Sequence, residues 1–346
     1  MNHLYSNEIV FRGHPDKCCD QISGAILDYC IRFDPKTRAG IEVLGGKNLI
    51  VVTGEVTTRA IVDDEIVELI VRRTLADIGY IYESKTYKII NNLGVQSSDI
   101  ALGVDKGGAG DQGMMFGFAC RDTKEMLPTA MVILQTFAMA YDKLRRQYPK
   151  LLYPDGKAQI TGEYEGRKLV RIKTFLCSYQ NAETRRNYTD TLLKQLILDI
   201  VSEYKIPIDQ FLFNPTGKFL IGGFEGDAGL TGRKIVVDAY QSFANVGGGC
   251  MNGKDPTKVD FSAAHKARAI AKQVLVDNPN IDWCEVQLSY AIGKPEPLAI
   301  YISTDMGDLQ VPKSLYAECT PKRIINDLRL KEIEYEQLAR YGHFID

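Results

Sequence analysis

Residues Gly222 to Asp260 pack glycines around paired charges: GGFEGDAGLTGRK, a short apolar stretch, then GGGCMNGKDPTKVD. Arg233, Lys234, Lys254 and Lys258 alternate there with Asp227, Asp255 and Asp260. Glycine has no Cβ, so such loops can bring the backbone close to a ligand. Bare backbone N–H groups together with lysines are what a polyphosphate requires. A merely solvated cationic face is the competing reading. It is the poorer one, because glycine loops cost conformational entropy to order. Gly248 to Lys254 also fits GxxxxGK, most of a P-loop. Asp255 stands where that loop needs a Ser or Thr hydroxyl, and the next helix starts only at Ser262, after Pro256. A polyphosphate-binding loop is retained and a P-loop is rejected.

Three further blocks are candidates. Gly13-His14-Pro15-Asp16-Lys17 is followed by Asp20 one turn later. Asp16 and Asp20 share a helix face, and a helix N-terminus favours anions. His14 and Lys17 add donors, and Asp16 offers the oxygen that Mg²⁺ prefers. Alone, the block reads better as a capped surface helix. Gly107 to Gly113 is too rich in glycine for a simple turn, and Asp111 and Gln112 add hydrogen-bonding groups at its tightest point; a linker is the alternative. Pro154-Asp155-Gly156-Lys157 reads alone as a turn. Glu42 and Glu55 lie on the two arms of a hairpin, where exposed glutamates are common.

Composition narrows the setting. The chain has 346 residues, 45% hydrophobic and 25% charged, with a net charge of −2. This is an ordinary globular mixture with no basic field for nucleic acid or an anionic membrane. Eight scattered cysteines form no CxxC pair and no zinc spacing with histidine, and the N-terminus is not a secretory signal. Reduced thiols in a cytoplasmic protein are the simplest reading. The longest apolar run, Met126 to Tyr141, is too short and too polar to span a membrane and reads as a buried helix.

The elements that must position these blocks recur three times as helix, hairpin, helix. Helices are expected near 15–32 and 63–79, with a hairpin over 41–57 turning at Gly45-Gly46. A helix near 126–147, a hairpin turning at Glu165-Gly166 and a helix near 189–204 follow. The third unit has a helix at 262–276, a hairpin turning around Gly293-Lys294-Pro295 and a helix near 320–338. Ile235 to Val237 reads as a short buried strand. The order predicts an α+β fold: three similar domains of hairpin-built sheet covered by helices, and not a doubly wound parallel sheet. Domains are expected at 1–104, 105–221 and 222–346.

Taken together, GHPDK, GAGDQG, FNPTGKFLIGG, GDAGLTGRKIVVDAY and GGGCMNGKDPTKVD resemble the S-adenosylmethionine synthetase (methionine adenosyltransferase) family. The resemblance runs in order from Ser6 to about Gly293, with a YGHF match at 341–344. It implies three α+β domains in a pseudo-threefold arrangement that exchange segments. It also implies a reaction in which the sulfur of L-methionine attacks C5′ of ATP. The expelled triphosphate is then hydrolysed to diphosphate and phosphate. Two Mg²⁺ per site, K⁺, and a homodimer or homotetramer with active sites between subunits are implied too.

Carried over by motif, His14, Lys157, Arg233, Lys234 and Lys254 would contact the phosphates or the bridging oxygen. Asp16 and Asp260 would ligate Mg²⁺. Glu42 would hold K⁺, with Cys250 near it or near the nucleotide. Glu55, Gln96, Asp227 and Lys258 would hold the methionine zwitterion, and Ile292 would line its side-chain pocket. Asp111, Asp155 and Asp227 would belong to the ATP site, with Lys218 and Phe219 at the adenine. The chain departs from the family's pattern at Phe11-Arg12, where many members have Ser-Glu. It departs again in the shortened VDKG segment of a region that is a mobile gate in the family. Lys218 and Phe261 stand where Arg is frequent, and the chain after Pro297 is abbreviated.

Overall fold

A computed structural model describes residues 2–95 and 107–344. In chain order its strands are β1 (Asn2–Val10), β2 (Arg38–Gly46), β3 (Leu49–Thr57), β4 (Lys88–Gly94), β5 (Gly113–Cys120), β6 (Leu152–Glu165), β7 (Lys168–Asn181), β8 (Ile208–Phe213), β9 (Gly229–Leu230), β10 (Trp283–Tyr290), β11 (Ala299–Thr304) and β12 (Gly307–Asp308). The α-helices are α1 (Pro15–Phe33), α2 (Asp64–Ile78), α3 (Thr129–Gln147), α4 (Arg186–Ser202), α5 (Ile235–Asp238), α6 (Val259–Asp277), α7 (Lys313–Glu318), α8 (Pro321–Asp327) and α9 (Tyr335–Tyr341). The strands form three four-stranded sheets, ordered β4-β3-β2-β9, β1-β6-β7-β8 and β12-β11-β10-β5. Among the described residues only β3–β4 and β7–β8 pair in parallel. Three hairpin-built, helix-covered sheets are the expected α+β class.

Each hairpin acquires an outer strand from far along the chain. β1 pairs with β6 from Asn2↔Glu165 to Val10↔Lys157. β5 pairs with β10 from Gly113↔Tyr290 to Cys120↔Trp283, and β9 pairs with β2. Local patterning cannot reveal these strands, because their partners are distant in sequence. Strand alternation then sorts the side chains. Ala39, Ile41 and Val43 of β2 and Ile50 and Val52 of β3 are buried beneath α1 and α2. Gly40, Glu42 and Leu44, with Leu49, Thr53 and Glu55, fall on the opposite face. One apolar core runs under the first and third sheets and a second lies under the middle sheet.

Four local expectations are corrected. The first hairpin turns at Lys47-Asn48, with Asn48 at φ 63°, and Gly45-Gly46 remain in β2. A Cβ on Gly45 would lie 2.3 Å from the Phe224 ring, so that glycine serves close packing and not the turn. The second hairpin turns one residue later than expected, at Gly166-Arg167, where Gly166 supplies φ 59°. Ile235 to Val237 form one turn of helix, although β-branched residues favour strands. That turn carries Asp238 inward to Lys17, 2.6 Å away. The expected helix near 320–338 is two short helices, α8 and α9. Arg329 at φ 51° breaks the run, and the Asp28 carboxylate on α1 caps α9 by accepting from the Tyr335 and Glu336 N–H groups. No helix among the described residues is long and apolar enough to cross a membrane.

Candidate active site

The turn between β1 and α1 delivers His14 as the N-cap of α1. Its Nδ1 accepts from the Asp16 N–H at 3.2 Å, which leaves the ring proton on Nε2. Burial, then Lys234, Lys157 and Lys17, push the His14 pKa down to about 3 against the opposing pull of Asp16. His14 is therefore a neutral hydrogen-bond donor at physiological pH. Because its folded pKa lies below the unfolded value, it contributes stability that is fully present above about pH 6.5. That contribution drains as the pH falls towards about 3. Replacing His14 with Asn, another good N-cap, should reduce the loss of unfolding free energy between pH 6 and 5 by about 1 kcal/mol. Urea unfolding at both pH values measures it; equal losses in the two proteins would mean His14 titrates normally.

Asp16, fully buried, gathers the first group of charges. Its Oδ1 accepts from Arg233 Nε at 2.8 Å and from the Leu230 N–H at 2.9 Å. Its Oδ2 accepts from Lys234 Nζ at 2.6 Å. Burial raises its pKa, but Lys234, the Leu230 N–H and Arg233 outweigh burial and hold it below the usual carboxylate value. A Cβ on Gly229 would meet the Pro15 carbonyl at 2.3 Å, so glycine lets β9 abut the start of α1. Lys157 projects from β6, and its charge reaches His14. Asp155 is buried two residues earlier, where β6 shifts register, and accepts from the Gly223 N–H at 2.8 Å. Burial raises its pKa to about 6. Pro154 to Lys157 thus lie within a strand. The expected turn is absent because β1 and β7 flank this segment. Asp227 is exposed, but its charge is felt by both Arg233 and Asp155. On the same side, the Phe219 carbonyl accepts from the Asn181 N–H at 2.9 Å beside exposed Lys218.

A second group forms on the outer face of the first sheet. Glu42 and Glu55 share that face, and burial, less the effect of Lys254 and reinforced by Glu55, raises the Glu42 pKa. The glycine loop runs along β2, with the Ile41 N–H donating to Gly253 O at 2.9 Å and a bridge between Gly40 and Lys254. Lys254 pairs with Asp260, in the first turn of α6. Lys258 Nζ reaches Asp255 at 3.3 Å. Fully buried Asp255 also accepts from the Ala39 N–H at 2.8 Å, so it anchors the loop. A Cβ on Gly249 would fall 2.1 Å from Asp260 Oδ1, which accounts for glycine there. The Gly108–Gly110 segment bonds to the Ile292 turn through the Gly293 and Ala109 N–H groups. Asp111 and Ile292 are both exposed there. Gln96 and residues 104–106 of the shortened VDKG segment lie outside the described residues.

No hydrogen bond or ion pair between described residues joins the two groups directly. They touch where Cys250 packs on Gly232, whose Cβ would lie 2.8 Å from that of Cys250. Burial, then Asp20, Asp238 and Glu42, push the Cys250 thiol pKa up, so the thiol stays protonated. The residues expected to serve the phosphates, Mg²⁺ and methionine are each divided between the groups. Lys157, Arg233 and Lys234 stand with Asp16 and Asp227, while Lys254 stands with Asp260, Glu55 and Lys258. Two cavities of about 750 and 810 Å³ lie elsewhere, among helices, and none of the expected site residues lines them.

Sequence reasoning missed the buried scaffold behind the first group. Lys17 Nζ bridges Asp20 Oδ2 at 3.0 Å and Asp238 Oδ1 at 2.6 Å. Asp238 Oδ2 accepts from Asn252 Nδ2 at 2.8 Å, and Asn252 Oδ1 accepts from His343 Nε2 at 2.9 Å. Asp20 also accepts from the Gly232 N–H at 2.9 Å. This chain ties α1, both glycine loops and the YGHF segment together. Its one sequence signal was charge inside apolar surroundings, as in IVVDAY. Phe261 is fully buried, its ring centroid 5.2 Å from that of Tyr335, and joins α6 to α9.

Family comparison agrees across the chain. Models for the S-adenosylmethionine synthetase N-terminal, central and C-terminal domains match residues 2–98, 106–219 and 221–346. An S-adenosylmethionine synthase from Clostridium tetani is 40% identical over 374 residues, covering 99% of this chain and 94% of the relative. One from Salinispora tropica is 41% identical over 382 residues, covering 99% and 93%. The chain belongs to the S-adenosylmethionine synthetase family.

Proposed function

We infer that the chain is a methionine adenosyltransferase, making S-adenosylmethionine from ATP and L-methionine. The observation that carries the mechanism is neutral His14 at a helix N-terminus beside Asp16, Arg233 and Lys234. Methionine's thioether is a neutral nucleophile, so its attack on C5′ needs no general base. The C5′–O bond breaks, and negative charge grows on the departing triphosphate oxygen. Fixed donors aimed at that charge lower the barrier. Lys157, Arg233, Lys234 and Lys254 are the cations for the phosphate chain, and His14 Nε2–H is the neutral donor for the bridging oxygen. Asp155 and Asp111 contact the nucleoside, Phe219 stacks on adenine beside Lys218, and Cys250 lies near the nucleotide or K⁺. Glu55 and Asp227 hold the methionine ammonium, Gln96 and Lys258 its carboxylate, and Ile292 its side-chain pocket. Water then cleaves the triphosphate to diphosphate and phosphate.

The donor set fits the proposed ions. Mg²⁺ is commonly held by one or two carboxylates plus substrate phosphates. Asp16 and Asp260 each stand as a single carboxylate among cations, and no cluster of three or more ligating side chains occurs among the described residues. Bound Mg²⁺ would neutralise phosphate charge, while the cations now on these carboxylates turn to the phosphates. Glu42, half-buried beside Glu55, is the K⁺ ligand in this reading.

The active site is proposed to form between two copies in a homodimer or homotetramer. The division of the phosphate, Mg²⁺ and methionine roles between two groups supports this. Exposed Leu44, Leu49, Ile90 and Met114 on the strands nearby give a second copy apolar surface to cover. Eight unpaired thiols support a cytoplasmic setting. ³¹P NMR of an incubation with ATP, methionine and Mg²⁺ tests the function. Diphosphate and phosphate in equal amounts, dependent on methionine, are expected. ADP as the product would indicate a kinase or ATPase.

A further inference from the structure

The His14 turn is held by a residue that the reaction scheme leaves unused. Arg12, buried two positions before His14, donates from Nε to Gln21 Oε1 at 3.0 Å and from NH2 to Asp77 Oδ2 at 2.7 Å. Its NH1 lies 3.7 Å from Asp142 Oδ2, and NH2 lies 4.0 Å from Glu336 Oε1. Those carboxylates come from α2, α3 and α9. Its carbonyl accepts from Gln21 Nε2 at 2.7 Å, so backbone and side chain grip the same glutamine. Arg12 also lines the cavity of about 750 Å³ between these helices. Apolar packing is therefore incomplete where α1, α2, α3 and α9 converge, and the guanidinium fork spans the gap. The neighbouring turn residues are pinned as well. The Phe11 N–H donates to Gly156 O at 2.9 Å, and Tyr80 Oη donates to Gly13 O at 2.6 Å.

We propose that Arg12 is a positioning residue, holding the Phe11–His14 turn so that His14 meets the departing oxygen. The proposal rests on the role of His14 in the reaction. Lysine at this position keeps the charge but loses the planar fork. Misplacement of a reacting group by about 1 Å can cost ~100-fold, so a partial loss of alignment in Arg12→Lys should lower kcat ~10-fold. KM for methionine should hold, because the Arg12 contacts reach none of Glu55, Asp227 and Lys258. A double-mutant cycle decides whether the effect passes through His14. In a His14→Asn background, adding Arg12→Lys should leave kcat within about twofold. The same fold loss in both backgrounds, or no loss in the wild-type background, overturns the proposal. An unchanged kcat in His14→Asn alone would instead remove His14 from the reaction, and the proposal with it. Should Arg12→Lys fail to fold, Asp77→Ala removes the shortest Arg12 ion pair from a half-exposed side chain, and the same cycle applies.

Discussion

Asp16→Asn should lower kcat/KM about 1,000-fold, equivalent to about 4 kcal/mol of transition-state stabilisation. The substitution preserves shape and removes one charge. Two cations, Arg233 at 2.8 Å and Lys234 at 2.6 Å, would then face a neutral amide. The amide can accept at only one of its two atoms, and its NH₂ opposes whichever cation it meets. Losing one preorganised donor typically costs about 100- to 1,000-fold; here two donors lose their aim and one proposed Mg²⁺ ligand disappears. Stability should fall as well, by less than the roughly 3–5 kcal/mol of a fully buried broken pair, because Arg233 is half-exposed. Steady-state kinetics at saturating Mg²⁺, beside thermal unfolding, separate the two effects. Activity within threefold of wild type would remove Asp16 from the site.

Lys157→Met should lower kcat by about 100- to 1,000-fold and leave the fold unchanged. Lys157 is exposed on β6, opposite Val10 and Ser178 in register. Methionine retains the length and apolar stem and deletes the charge, so stability should move by no more than about 0.5 kcal/mol. The Lys157 charge also depresses the His14 pKa, so removing it should raise that pKa, still short of an ordinary histidine because burial and Lys234 remain. Single-turnover product formation and an NMR titration of His14 read both consequences. Wild-type turnover would exclude Lys157 from the chemistry, and an unmoved His14 would mean the two groups do not share a field.

Much of the fold was legible because its signals are local. The 3.6-residue spacing of Cys18, Ile22, Ile26 and Tyr29 indicated α1, and Pro15 marked its start, within a residue of the observed bounds. The hairpin arms were legible from alternation. The turns were misplaced by one or two residues, because glycine answers close packing as well as positive φ, and Gly45 and Gly166 look alike in sequence. The outer strands β1, β5 and β9 were not legible, since each pairs with a segment more than a hundred residues away.

Residue types and spacing alone pointed to a nucleotide or polyphosphate ligand, since glycine loops carrying interleaved lysines and aspartates are costly to order for no purpose. The five motif blocks in order also pointed to the family. Only the tertiary structure decided how those charges are shared. It paired Asp16 with Arg233 and Lys234, and Asp260 with Lys254, in two separate groups. It also placed Lys17 between Asp20 and Asp238, and Arg12 among three helices. The reason is physical: a charge chooses its partner by distance and burial, and both arise only when segments remote in sequence pack together.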